Sequence, residues 1–174
     1  MDRDLPGALR KAFQAALGSV PSSGGALVSI ADQDKPEGLP VAARLAELGF
    51  HLYATPGTAA ALREAGVSVT EVHKLHAGRP DVVDITVGGR VQLVINTISR
   101  VATDEGGDAD SGGRPVRDGF RIRQAAVQRG IPCLTSLDTA AALVCALEAA
   151  EGQPAGRAAT IGEHRLGAQV AAGG

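Results

Sequence analysis

The sequence predicts an α/β fold, a three-layer α/β/α sandwich with a five-stranded parallel sheet at its centre. Three observations carry that expectation. Short apolar runs alternate with helical segments of 3.6-residue period along most of the 174 residues. The runs are continuously apolar, as strands covered on both faces are, and not alternately polar. Strand–helix alternation of this kind packs as helices on both sides of one sheet.

The elements follow in order. Residues 4–17 set Leu9, Phe13, Ala16 and Leu17 on one helical stripe, and GSVPSSGG follows as a linker. Residues 1–25 therefore read as a helix and linker left over from a preceding domain. ALVSI (26–30) is the first strand, and residues 37–49 form a helix with Val41, Leu45 and Leu48 on one face. HLYAT (51–55) is the second strand, followed by an Ala-rich helix over 58–65 that Gly66 stops. VSVTEV (67–72), QLVIN (92–96) and IPCLT (131–135) complete the strands. Helices are expected over 80–88, 117–129 and 138–150, the last aligning Leu143, Leu147 and Ala150. Right-handed crossovers then leave a flavodoxin-like or Rossmann-like layout for residues 26–150, with 151–174 as a polar tail.

Composition removes several classes of function. A net charge of −2 with one Tyr, three Phe and no Trp offers neither a basic field nor rings for bases, so no nucleic-acid partner is expected. No window approaches the roughly 20 apolar residues of a membrane span. Met1 to Arg10 carries four charges and no apolar core of a secretory signal, which makes the cytoplasm the expected compartment. Cys133 and Cys145 are too few for a disulfide scaffold and are expected as two buried reduced thiols. His73 and His76 lack a nearby third ligand, and the Asp108-x-Asp110 start has Gly119 where calcium needs Glu, so no metal is expected. Nucleotide-triphosphate and acyl-transfer motifs are absent.

In an open parallel sheet, ligands bind beyond the carboxyl ends of the strands. The segments after the first four strands are Ala31-Asp-Gln-Asp-Lys35, Thr55-Pro-Gly-Thr58, His73-Lys74-Leu-His76 and Asn96-Thr97-Ile-Ser99. Thr55-Pro-Gly-Thr58 entering a helix is a short anion nest: Gly57 permits close backbone approach, and the two hydroxyls add donors. The plainer alternative makes Thr58 an N-cap. The chain has 14 Arg and only three Lys, and two of these, Lys35 and Lys74, fall on this edge. Point charges beside amide donors favour a phosphorylated small ligand. Residues 101–119 are long, acidic and Gly-rich, and are expected to form a flap whose basic half, Arg114 and Arg117, can approach a bound phosphate, with a plain solvated loop as the alternative.

The runs ALVSIADQDK, GFHLYATPGTAAALREAG, VHKLHAGRPDVVD, LVINT, GRPVRDGFRIRQAAV and IPCLTSLDTAAAL cover about residues 26–150. Together they resemble the methylglyoxal-synthase-like (MGS-like) domain, in particular the C-terminal allosteric domain of the carbamoyl-phosphate synthetase large subunit. The resemblance implies a regulatory domain that binds a nucleoside monophosphate effector, UMP or IMP, through its phosphate. The matching phosphate positions are Lys35, Thr55, Thr58, Lys74 and Asn96, with Thr97 and Ser99 nearby; the family's last hydroxyl contact falls on Ile98. Of the segment that serves an ornithine-type site in some members, only Thr135 matches, and ornithine binding is not expected.

The resemblance further implies partners in the synthetase domains of the same large subunit, with a homo-oligomer through this domain as an option. The parent is an ATP-dependent, glutamine-hydrolysing ligase of pyrimidine and arginine biosynthesis, so ATP and Mg belong to it. The domain itself is expected to need no cofactor and to perform no catalysis. The rival is a methylglyoxal synthase-type lyase acting on dihydroxyacetone phosphate, which needs a carboxylate base where this chain has Arg79, with Asp81 two residues on. The remaining alternative is a packing domain without an effector.

Overall fold

The computed structural model describes residues 5–75, 77–98 and 113–151. Its elements run α1 (Leu5–Leu17), β1 (Gly24–Ser29), a 3-10 turn (Asp32–Asp34), α2 (Lys35–Glu47), β2 (Phe50–Ala54) and α3 (Pro56–Glu64). They continue with β3 (Thr70–Glu71), α4 (Val82–Val87), β4 (Leu93–Asn96), α5 (Gly113–Gln128), β5 (Cys133–Leu134) and α6 (Leu137–Glu151). All strand pairs are parallel, in the order β3-β2-β1-β4-β5. The chain thus builds outward from β1 through β2 to β3, then crosses back to place β4 on the other side of β1. That reversal opens a crevice beyond the carboxyl ends of β1 and β4, the usual ligand position in such sheets. The register brings the strand ends level there: Val28 lies opposite Ala54 and Ile95, and Ser29 opposite Asn96.

Alternate residues of each central strand feed two cores. Ala26, Val28, Leu93 and Ile95 pack with Val41 and Leu45 of α2, Leu62 of α3 and Leu143 of α6. Leu27 and Val94 point the other way, against Ile85 of α4 and Ile122 of α5. A strand sandwiched in this way has no solvent side, which is why its sequence shows an unbroken apolar run. Arg44 of α2 grips Glu148 of α6, its Nε donating to Oε1 at 2.7 Å, and this braces α2 against its neighbour. α1 lies along α6, and Phe13 and Val20 pack against the first core.

Several boundaries differ from the expectation. β1 begins at Gly24, which pairs with Phe50 of β2, and the backbone at Gly25 approaches the segment that enters β4 closely. A Cβ on Gly25 would lie 1.9 Å from the Arg90 carbonyl oxygen, and the Gln92 N–H donates to the Gly25 carbonyl at 2.8 Å. β3 shrinks to two exposed edge residues. α5 starts at Gly113, so residues 113–119, expected as the basic half of a flap, instead form its first turns. The acidic half, 101–112, lies outside the described residues, as do His76 and Ser99. Cys145 is exposed on α6, since its position falls off the buried face set by Leu143, Val144 and Leu147; Cys133 is only partly buried. Burial pushes the Cys133 thiol above its ordinary value, with the Arg123 charge opposing more weakly.

The loop between β3 and α4 is folded tightly on itself. His73 N–H donates to Pro80 O at 3.2 Å and Val82 N–H to His73 O at 3.0 Å, while the His73 ring packs on Gly78. Asp81 caps α4: its Oδ1 accepts from Val83 N–H and Asp84 N–H, both at 2.9 Å, and Asp84 Oδ2 accepts from Asp81 N–H at 3.1 Å. A reciprocal cap of this kind contributes about 1 kcal/mol. Asp81→Ala should therefore lower the unfolding free energy by roughly that amount in a urea titration; an unchanged midpoint would show that the cap is idle.

Candidate functional site

Past Ser29 the chain leaves β1 with two backbone N–H groups to place. Ile30 N–H donates to Thr58 Oγ1 at 3.2 Å, and Ala31 N–H donates to Thr97 Oγ1 at 2.8 Å. Thr97 N–H returns to Ser29 O at 3.1 Å. These bonds lace the end of β1 to the start of α3 on one side and to the end of β4 on the other. A cavity of about 260 Å³ lies over the lacing.

Its floor and walls contain every described residue anticipated for phosphate: Lys35, Thr55, Thr58, Lys74, Asn96 and Thr97. Thr55, not Thr58, is the N-cap of α3, and its side chain makes no capping bond; instead its hydroxyl faces Thr58 Oγ1 at 3.4 Å. Thr58 is 1% exposed, and its hydroxyl serves Ile30, a structural duty that the sequence does not reveal. With Pro56 in the first turn lacking an N–H, the Gly57 N–H is the first donor of α3 and has no acceptor among the described residues.

Lys35 begins α2 and reaches over the start of α3. A Cβ on Gly57 would lie 3.5 Å from its Nζ. The ammonium therefore sits between two helix N-termini, where the partial charge is already positive. Asp32 relieves it in part through an ion pair of 2.7 Å, although its carboxylate stands 95% exposed. The bond and charge of Lys35 hold the Asp32 carboxyl below its ordinary value, and the charge of Lys74 adds to this. Lys74 is exposed at the cavity edge.

Three lining residues of consequence were not anticipated: Asp32, Asp118 and Arg123. Arg123 of α5 donates from Nη1 to Asn96 Oδ1 at 2.6 Å. Its only sequence signal is the i, i+4 relation to Gly119 inside α5. Among the described residues the cavity thus sets three cations against two carboxylates, with amide and hydroxyl donors between them. Ile98, at the position of the family's last hydroxyl contact, is 53% exposed at the mouth, and its carbonyl accepts from Gln33 Nε2 at 3.1 Å. Arg79 turns away to pair with Asp84 at 2.6 Å and does not line the cavity. Among the described residues no group of three His, Cys, Asp or Glu gathers as a metal site would, and no helix is long and apolar enough to cross a membrane.

Comparison with known proteins agrees with this fold. The crystal structure of ForH superposes with a TM-score of 0.57 at 25% identity, covering 76% of this chain and 84% of ForH. Residues 37–135, which hold α2 through β5 and most of the cavity wall, match the MGS-like domain model. The five-stranded parallel sheet, its carboxyl-edge cavity and this match lead to one assignment: the chain belongs to the MGS-like domain family.

Proposed function

We propose that this chain is a regulatory domain that binds a phosphorylated small molecule, a nucleoside monophosphate of the UMP or IMP type, through its phosphate. One observation carries the reading: a single cavity gathers Lys35, Lys74, the unpaired Gly57 N–H and the side chains of Thr97 and Asn96. A phosphate dianion needs point charges and amide donors together, and the start of a helix beside two lysines supplies both. Lys35 stands beside two helix N-termini with, among the described residues, only the exposed Asp32 carboxylate paired to it, which leaves the cavity side favourable to an anion. Among the described residues the cavity lining holds no aromatic ring for a base to stack on, and its charged and amide donors suit the phosphate.

The finer identity follows the resemblance to the C-terminal domain of the carbamoyl-phosphate synthetase large subunit. On this reading the synthetase domains of the same subunit are the partners that receive the signal, ATP and Mg serve those domains, and the place of action is the cytoplasm. A lyase acting on dihydroxyacetone phosphate is less well supported. Its base would have to come from the stretch where Arg79 is 82% exposed and tied to Asp84, and where Asp81 already accepts two backbone N–H groups. Asp32, held below its ordinary range by Lys35, is a weak base.

UMP should raise the thermal midpoint of the chain and uridine should not, because a ligand stabilises only the state that it binds. Lys74→Ala should weaken UMP roughly tenfold to a hundredfold in calorimetry, the worth of one charge-assisted contact. Equal affinity for uridine and UMP would contradict the phosphate reading. With dihydroxyacetone phosphate, a coupled assay should give no methylglyoxal above the buffer blank. Turnover that disappears in Asp81→Asn would instead make the chain a lyase.

A further inference from the structure

The pairing of Arg123 with Asn96 has a chemical consequence for what the cavity can accept. Asn96 closes β4 and is 2% exposed. A carboxamide has an accepting end and a donating end of nearly the same shape, and an unrestrained one can present either. Arginine has donors only, so the 2.6 Å bond from Arg123 Nη1 fixes Oδ1 toward α5. The Nδ2 is left as the donating end, 3.7 Å from where a Cβ on Gly119 would stand, and Gly119 also lines the cavity. This Nδ2 has no acceptor among the described residues, and Asn96 lines the cavity.

Gly119 makes this possible. A Cβ at that position would lie 3.0 Å from Arg123 Nη1 and 3.3 Å from Asn96 Oδ1, so glycine leaves the guanidinium room to close over the amide. We infer that Arg123 is a positioning residue for ligand selection: by holding Asn96 with its NH2 toward the cavity, it makes Asn96 a donor there, and so favours ligands that set an acceptor against it. A phosphate dianion is such an acceptor, whereas a ligand hydroxyl gains nothing over water there. The inference rests on the phosphate reading above and adds the device that enforces it.

The test is a double-mutant cycle read by calorimetry with UMP on the whole chain: the unaltered protein, Arg123→Met, Asn96→Ala and the double variant. Arg123→Met should weaken UMP roughly tenfold in the unaltered background, the scale of one lost charge-quality contact. In the Asn96→Ala background the same change should alter affinity less than about twofold, because Arg123 then has nothing to orient. A second arm uses Gly119→Ala, which displaces the guanidinium but keeps its charge and should reproduce the Arg123→Met pattern. It also serves should Arg123→Met fail to fold. Equal losses in both backgrounds would mean that Arg123 touches the ligand itself, which overturns the inference and leaves the phosphate reading standing. No UMP binding by the unaltered protein would remove the phosphate reading, and the inference with it.

Discussion

Two backbone N–H groups at the exit of β1 set the terms for the rest of the site. Ile30 and Ala31 lie where the chain leaves the sheet for the crevice, and threonine hydroxyls, Thr58 and Thr97, accept from them. A buried N–H without a partner costs about 1–3 kcal/mol, so these hydroxyls are required by the fold before any ligand is considered. Satisfying them fixes three segments relative to one another: the loop carrying Asp32 and Lys35, the first turn of α3, and the end of β4. The cavity is the space that these three segments leave. A hydroxyl that accepts one backbone bond keeps its own proton to donate, so Thr97 can serve both the fold and a ligand.

Above that scaffold the electrostatics are deliberately unbalanced. Lys35 stands at the N-terminus of α2, where a carboxylate would be favoured, and leans over the N-terminus of α3. The Arg44–Glu148 bond braces α2 from its other end, so the helix cannot easily swing to relieve this. Asp32 neutralises Lys35 from the solvent side through a highly exposed carboxylate, a contact weakened by water and salt. An anion reaching the Gly57 N–H from within the cavity would meet both helix ends and the lysine at once. Local conflicts of this kind are expected where function, not stability, set the residue.

Much of this was legible in the sequence because the signals are local. Strands buried on both faces announce themselves as unbroken apolar runs, and the rule that ligands bind at strand carboxyl ends turned those runs into site candidates. Lys35, Thr55, Thr58, Lys74, Asn96 and Thr97 all line the cavity. What escaped depends on distant parts of the chain. The order β3-β2-β1-β4-β5 is set by pairing between strands far apart in sequence, which no local pattern encodes. Arg123 meets Asn96 across 27 residues. The start of α5 was obscured because Pro115 is a poor helix residue on intrinsic preference, although it is tolerated in an opening turn. Thr58 looked like a ligand contact or a cap, and its bond to Ile30 could be found only once the ends of β1 and β2 were known to lie level.

The central claim is that one phosphate-sized anion sits at the start of α3, between Lys35 and Asn96. The most direct measurement is an amide NMR titration of the 15N-labelled chain with inorganic phosphate, which carries no base or sugar to confuse the result. The account predicts that the Gly57 and Thr58 backbone amides and the Asn96 side-chain NH2 shift together along one saturating curve, with the effect weakening as the pH is lowered and the dianion takes up a proton. Shifts scattered over the surface, or a saturating site whose curve excludes Gly57 and Asn96, would contradict it.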